Sequence, residues 1–239
     1  MDVRRYSDPH KVAREFAIFL ADKIDQSDSY SVALSGGSTP RILFEILADD
    51  FKEVINWNHL HVYWGDERCV PPDHSESNYG VANDILFKQL YRPPHIHRVL
   101  GESDPGEEAK RYGEEISENL PEVNGLPQFD LIILGMGDDG HTASIFPHEI
   151  ELLKSDNVCE VATHPTSGQK RVTLTGKVIN NAKTVVFLVT GENKADRLRE
   201  IHFKEEGSEH LPSSHIAPTH GSLIWYMDEA AARYLKDYR

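Results

Sequence analysis

The chain has 239 residues, 39% of them hydrophobic and 27% charged, enough for one large domain with a substantial core and without the composition of long disorder. Its 25 Lys and Arg face 39 Asp and Glu, and a net charge of −14 argues against nucleic acid or an anionic membrane surface as a partner. The N-terminal segment lacks the apolar run of a secretory signal, no window reaches the roughly 18 apolar residues of a membrane span, and the two cysteines, Cys69 and Cys159, call for no disulfide.

In chain order, Val12, Phe16, Phe19, Leu20 and Ile24 recur at helical spacing between His10 and Ile24, with Asp8 placed to cap that helix. Tyr30 to Leu34 reads as a short strand that runs into Ser35-Gly36-Gly37-Ser38-Thr39-Pro40 and then into a helix carrying Ile42, Leu43, Ile46 and Leu47. A strand from His59 to Trp64, a helix from Asn78 to Leu90, a short strand from Ile96 to Leu100 and a polar helix from Glu107 to Leu120 follow. Phe129 to Leu134 is a strongly apolar strand, and its unbroken run from Leu131 to Leu134 suits burial on both faces. Further strands are expected at Arg171 to Thr175, Thr184 to Thr190 and Leu223 to Met227, with a helix from Asn193 to about Phe203 and a last one, capped by Asp228, from Glu229 to Leu235. Glu205 to His220, rich in Pro and His, reads as an irregular surface loop.

Strands alternating with helices predict an α/β fold, a mainly parallel sheet with helices on both faces. No repeat or linker divides the chain, so a single domain over 1–239 is expected, cytoplasmic and compatible with a monomer. On an acidic chain, an anionic ligand must be held by backbone amides and a few local cations.

Ligands of open parallel sheets sit beyond the carboxyl ends of the strands, and three such junctions carry unusual residues. At Ser35 to Pro40 the paired glycines allow a tight turn, consecutive N–H groups and a helix N-terminus make an anion cradle, Ser38 or Thr39 can cap, and the Lys of a nucleotide P-loop is absent. At Trp64-Gly65-Asp66-Glu67-Arg68, an arginine flanked by acids can present its fork to a phosphate or polarise a carbonyl. From Gly135 to Pro147, three glycines within six residues leave an open loop whose titratable groups are Asp138, Asp139 and His141. His141 suits proton transfer near neutrality and is singled out among 13 histidines by that loop. Arg171 at a strand start and Lys194 at a helix start can close around a phosphate held by the glycine turn.

Together SGGSTP, GDERCVP with a downstream SNY, LGMGDDGHTASIFP and RVTLTGKVINNAKTVVFLVTGENK resemble the 6-phosphogluconolactonase family, in its motif order and over nearly the whole chain. The resemblance implies a fold related to glucosamine-6-phosphate and ribose-5-phosphate isomerases. It also implies hydrolysis of 6-phospho-D-glucono-1,5-lactone, the second step of the oxidative pentose phosphate pathway, without metal or organic cofactor. Carried over by motif, the proton-transfer histidine falls on His141, the acid and arginine of the second junction on Asp66 and Arg68, and the phosphate loop on Gly36, Gly37, Ser38 and Thr39. Arg171 and Lys194 match phosphate or substrate contacts. Asp66 is expected to orient Arg68 or His141, and amides near Gly137 to Gly140, or Arg68, to meet the oxyanion. One departure is Gly176, where family members often carry Pro, which suggests a looser start to the next helix.

Two rivals remain. An amino-sugar phosphate isomerase or deaminase shares the phosphate loop, but such proteins resemble GHIAFNEP after the histidine, where this chain has GHTASIFP. A non-catalytic phosphosugar-binding protein would use the same pocket, yet neither spare length nor basic charge suits an output module. His59 with His61, and His95 with His97, lack the partners of a known metal set and read as solvated surface residues.

Overall fold

The computed structural model describes residues 2–235. Its elements in chain order are β1 (Asp2–Tyr6), α1 (Pro9–Asp25), β2 (Tyr30–Leu34), α2 (Ser38–Ile46), β3 (Leu60–Trp64), β4 (Asp66–Arg68), α3 (Asn78–Ile85), β5 (His95–Ile96) and α4 (Pro105–Asn119). A two-stranded ribbon of β6 (Glu122–Val123) and β7 (Leu126–Pro127) leads to β8 (Leu131–Leu134), β9 (Cys159–Thr163), β10 (Lys170–Leu174), α5 (Gly176–Asn180), β11 (Thr184–Val189), α6 (Ala195–Phe203) and β12 (Ser222–Asp228).

Seven strands form one parallel sheet in the order β1-β12-β11-β8-β2-β3-β5. Every residue of β2 and β8 is buried, as expected of central strands covered on both faces. From β2 the chain moves through β3 to β5 on one side; from β8 it moves through β11 to β12 on the other. The topological switch point therefore lies between β2 and β8, the two strands that end in glycine loops. Helix α1 starts as its sequence dictates: Asp8 Oδ1 accepts from the Lys11 N–H at 2.9 Å, and Val12, Phe16, Leu20 and Ile24 are buried.

A second, antiparallel sheet, β4-β10-β9, leans on the first. Gly65 is the joint, donating its N–H to Leu34 O of β2 at 2.8 Å while its own carbonyl accepts from Leu174 N of β10 at 2.8 Å. Arg171 to Leu174 is thus a strand of the small sheet, outside the parallel one. Helix α4 covers β9, and Gly113 permits the approach: a Cβ there would lie 3.3 Å from Val158 Cβ.

Four expectations are corrected. The strand expected at Ile96 to Leu100 shrinks to His95–Ile96, the edge of the sheet. The helix expected from Glu229 to Leu235 is a series of turns, in which Asp228 Oδ1 accepts from the Ala231 N–H at 2.8 Å without a continuing helix. The stretch from Glu205 to His220 holds short 3-10 turns and buries Leu211, Ser213 and Ile216, so it is packed rather than a free surface loop. The paired histidines are not simply solvated. His59 bonds Ser27 O and Asn56, each at 2.8 Å, while His61 stacks on His95 and His97 at 4.5 and 5.6 Å. Cys69 and Cys159 are free thiols. Among the described residues, no helix is long and apolar enough to cross a membrane.

Candidate active site

The loop after β2 opens the site. Gly37 has φ +113, a conformation that side chains rarely adopt, and it serves as the N-cap of α2 with no side-chain cap bond; neither Ser38 nor Thr39 caps. Thr39 Oγ1 is instead paired with Thr190 Oγ1 at 2.7 Å, tying the loop to the end of β11. Gly36 is required by a close approach, because a Cβ there would lie 1.9 Å from Asn78 Oδ1. The amides of the first turn of α2, unpaired within the helix, are donors of the kind that attract anions at helix N-termini.

The β4 strand alternates its side chains. Glu67 turns away from the cleft to the start of α3, accepting from the Asn78 and Tyr79 N–H groups at 2.8 Å each and from Ser77 Oγ at 3.1 Å; burial nevertheless pushes its carboxyl up. That anchorage fixes Asn78, whose Nδ2 donates to Asp66 O at 2.9 Å. Asp66 and Arg68 line the cleft. Arg68 stands directly opposite Arg171 in the β4–β10 register, an arrangement of like charges that an anion between them would relieve. Each has a buried Nε without a partner among the described residues. Arg68 Nη1 donates to Glu76 O at 2.7 Å, and burial draws the Arg171 pKa below its ordinary value.

On the loop after β8, His141 Nδ1 lies 2.6 Å from Asp139 Oδ1, which also accepts from the His141 N–H at 3.1 Å. Burial would raise the Asp139 carboxyl, but the hydrogen bonds and charge of His141 outweigh it and hold it at about 2. Gly137 leaves room for this pair: a Cβ there would sit 2.2 Å from His141 Nδ1. The amides of Gly137 and Gly140 are committed within the loop, to His141 O at 2.9 Å and Gly137 O at 3.0 Å, so neither is free for an oxyanion. Asp138 points elsewhere and pairs with Lys194 and with Asn193 Nδ2. The packed 3-10 segment braces the loop from outside, Ser213 donating its N–H and its hydroxyl to Gly140 O at 3.0 and 2.8 Å.

The nine residues carried over by motif, Gly36, Gly37, Ser38, Thr39, Asp66, Arg68, His141, Arg171 and Lys194, line one cavity of about 260 Å³, while Asp138 and Asp139 do not. A further expected relation fails: among the described residues Asp66 makes no hydrogen bond to Arg68 or to His141, and its Oδ2 instead accepts from Ser144 Oγ at 2.6 Å. Asn78 and Ser144 were not assigned a place in the site, although both lie in quoted motifs. Among the described residues, no group of three or more His, Cys, Asp or Glu is arranged to hold a metal ion.

Residues 8–225 match the family model described as glucosamine-6-phosphate isomerases/6-phosphogluconolactonase. A 6-phosphogluconolactonase of Haemophilus influenzae is 45% identical over 227 residues, covering 94% of each chain. The solved 6-phosphogluconolactonase of Trypanosoma brucei superimposes with a TM-score of 0.86 at 25% identity, covering 98% of each chain. A monomeric glucosamine-6-phosphate deaminase has the same fold, with a TM-score of 0.79 at 20% identity over 98% of this chain and 99% of that one.

Proposed function

The chain belongs to the glucosamine-6-phosphate isomerase/6-phosphogluconolactonase family, and from that premise we propose that it hydrolyses 6-phospho-D-glucono-1,5-lactone to 6-phospho-D-gluconate, the second step of the oxidative pentose phosphate pathway, with His141 as general base. The observation that carries the mechanism is the Asp139–His141 pair in a cleft that also holds two facing arginines. An ionised Asp139 only accepts, so the proton between them belongs to His141 Nδ1 and Nε2 is left as the basic nitrogen.

Nε2 takes a proton from water as the water oxygen bonds to the lactone C1. The carbonyl becomes a tetrahedral oxyanion, met by the guanidinium of Arg68. The imidazolium then returns the proton to the ring oxygen as the C1–O bond breaks, giving the acid. Positioned proton transfer of this kind contributes about 10²- to 10⁴-fold. The phosphate is assigned to the Gly36–Thr39 turn with Arg171 and Lys194, which gives an acidic chain local cations for an anionic substrate.

The test is turnover of freshly generated lactone, coupled to 6-phosphogluconate dehydrogenase and corrected for spontaneous opening. A rate well above the spontaneous one is expected. Turnover of glucosamine 6-phosphate without lactone hydrolysis would move the chain to the deaminase side of its family, and tight binding without turnover would make it a phosphosugar-binding protein.

A further inference from the structure

Ser144 lies three residues beyond His141, is fully buried and has no part in the steps above. Its backbone reaches that position through Ala143, which adopts a left-handed φ of +48, and a tight turn in which the Ile145 N–H donates to Thr142 O at 2.9 Å. Its own N–H donates to Thr173 Oγ1 at 3.1 Å, and Thr173 is the register partner of Asp66. The serine is therefore fixed against the β4–β10 pair by its main chain, which leaves its hydroxyl for another task.

That hydroxyl stands between two charges. At 2.6 Å from Asp66 Oδ2 it donates to the carboxylate, and its lone pairs face Arg171 Nη1 at 3.4 Å. Arg171 and Asp66 are 3.9 Å apart, well beyond the roughly 2.7–2.9 Å of a carboxylate and guanidinium in direct contact. The guanidinium carbon lies 5.6 Å from the centroid of Phe146 and Nε is buried without a partner, so among the described residues this hydroxyl is the only hydrogen-bond partner that aims the fork.

We propose that Ser144 is a positioning residue: its hydroxyl spaces Arg171 from Asp66, so that the guanidinium faces the cleft and the substrate phosphate instead of closing onto the carboxylate. The proposal rests on the reading that Arg171 contacts the phosphate. Without the hydroxyl, attraction in a buried setting draws the fork onto Asp66, and the phosphate loses a pre-aimed donor.

Ser144→Ala, Arg171→Ala and the double variant test it, with kcat and KM for the lactone and competitive inhibition by inorganic phosphate measured for each. In Ser144→Ala, KM and the phosphate Ki should both rise about tenfold, while kcat changes less than about twofold. Arg171→Ala should raise both constants at least as far, and the double variant should be no worse than Arg171→Ala alone. A rise in Arg171→Ala with wild-type constants in Ser144→Ala overturns the positioning role and leaves the phosphate reading standing; unchanged constants in Arg171→Ala remove the phosphate reading itself. Additive effects overturn the proposal too, because they mean that Ser144 acts apart from Arg171. If the alanine variant does not fold, Ser144→Cys fills the site with a slightly larger group and a poorer hydrogen bond and should give the same rise in KM and Ki; wild-type constants there count against the proposal.

Discussion

Asp139 fixes His141 twice, through the ring nitrogen and through the backbone N–H. Held at about 2, its carboxylate is ionised throughout the neutral range and stays an acceptor for the imidazole there. Its contribution to stability is complete above the ordinary aspartate value of about 3.9 and is lost as pH falls through the folded value. Asp139→Asn replaces a pure acceptor by an amide that can also present a donor, and kcat should fall about tenfold to a hundredfold with little change in KM; unaltered kcat in a folded variant would deny the pair a catalytic role. The sequence could point to His141 because three glycines and a strand end surround it. It could not separate Asp138 from Asp139, since adjacent residues on an irregular loop turn to different partners, one to Lys194 and one to His141. Ser144 was harder still: its charged partners lie 78 and 27 residues away, and an isolated serine carries no titration signature.

At the scale of elements, the apolar inner strands and α1 with its Asp8 cap were legible, whereas the edge strand β1 was not, and of the small sheet only β10 was read as a strand. Three residues, Asp66 to Arg68, all charged, have no hydrophobic periodicity, and only pairing with Thr173 to Arg171 makes them a strand. The same pairing sets Arg68 against Arg171, so the facing of two arginines that lie in separate motifs arises from register. Gly176 is the other lesson. Its departure from the family pattern suggested looseness, yet the residue is buried at the start of α5, and a Cβ there would meet Leu153 Cα at 2.6 Å and Leu153 O at 2.7 Å. Gly176→Ala should therefore lower stability by about 1–3 kcal/mol through overpacking, despite the better helix propensity of Ala. Denaturant titration reads this directly, and a gain in stability would contradict the packing account.

For the whole molecule, the parallel order creates one switch point, and the two strands that meet there supply the Gly36–Thr39 turn and the histidine loop. Alternation in the sequence implied that class of fold, but strand order depends on contacts between distant segments and had to come from the structure. The far edge of the same sheet has another property. Burial, together with His95 and His97, holds His61 below the ordinary histidine value, while His97 Nδ1 lies 2.8 Å from Glu115 Oε1 of α4. A depressed folded value means that the unfolded chain binds a proton the folded one refuses, so this part of the stability is complete above about pH 6.5 and declines as pH falls below it. The thermal midpoint should drop between about pH 7 and about pH 5, and drop less in His61→Gln; an equal drop in both would place the pH sensitivity elsewhere.

Proton transfer by His141 is the claim on which the functional account turns, and the most direct measurement is lactone hydrolysis by His141→Ala beside the parent protein. With circular dichroism and thermal midpoint unchanged, kcat should fall at least about a hundredfold. Turnover close to that of the parent would mean that the base lies elsewhere in the cleft or that the lactone opens without one.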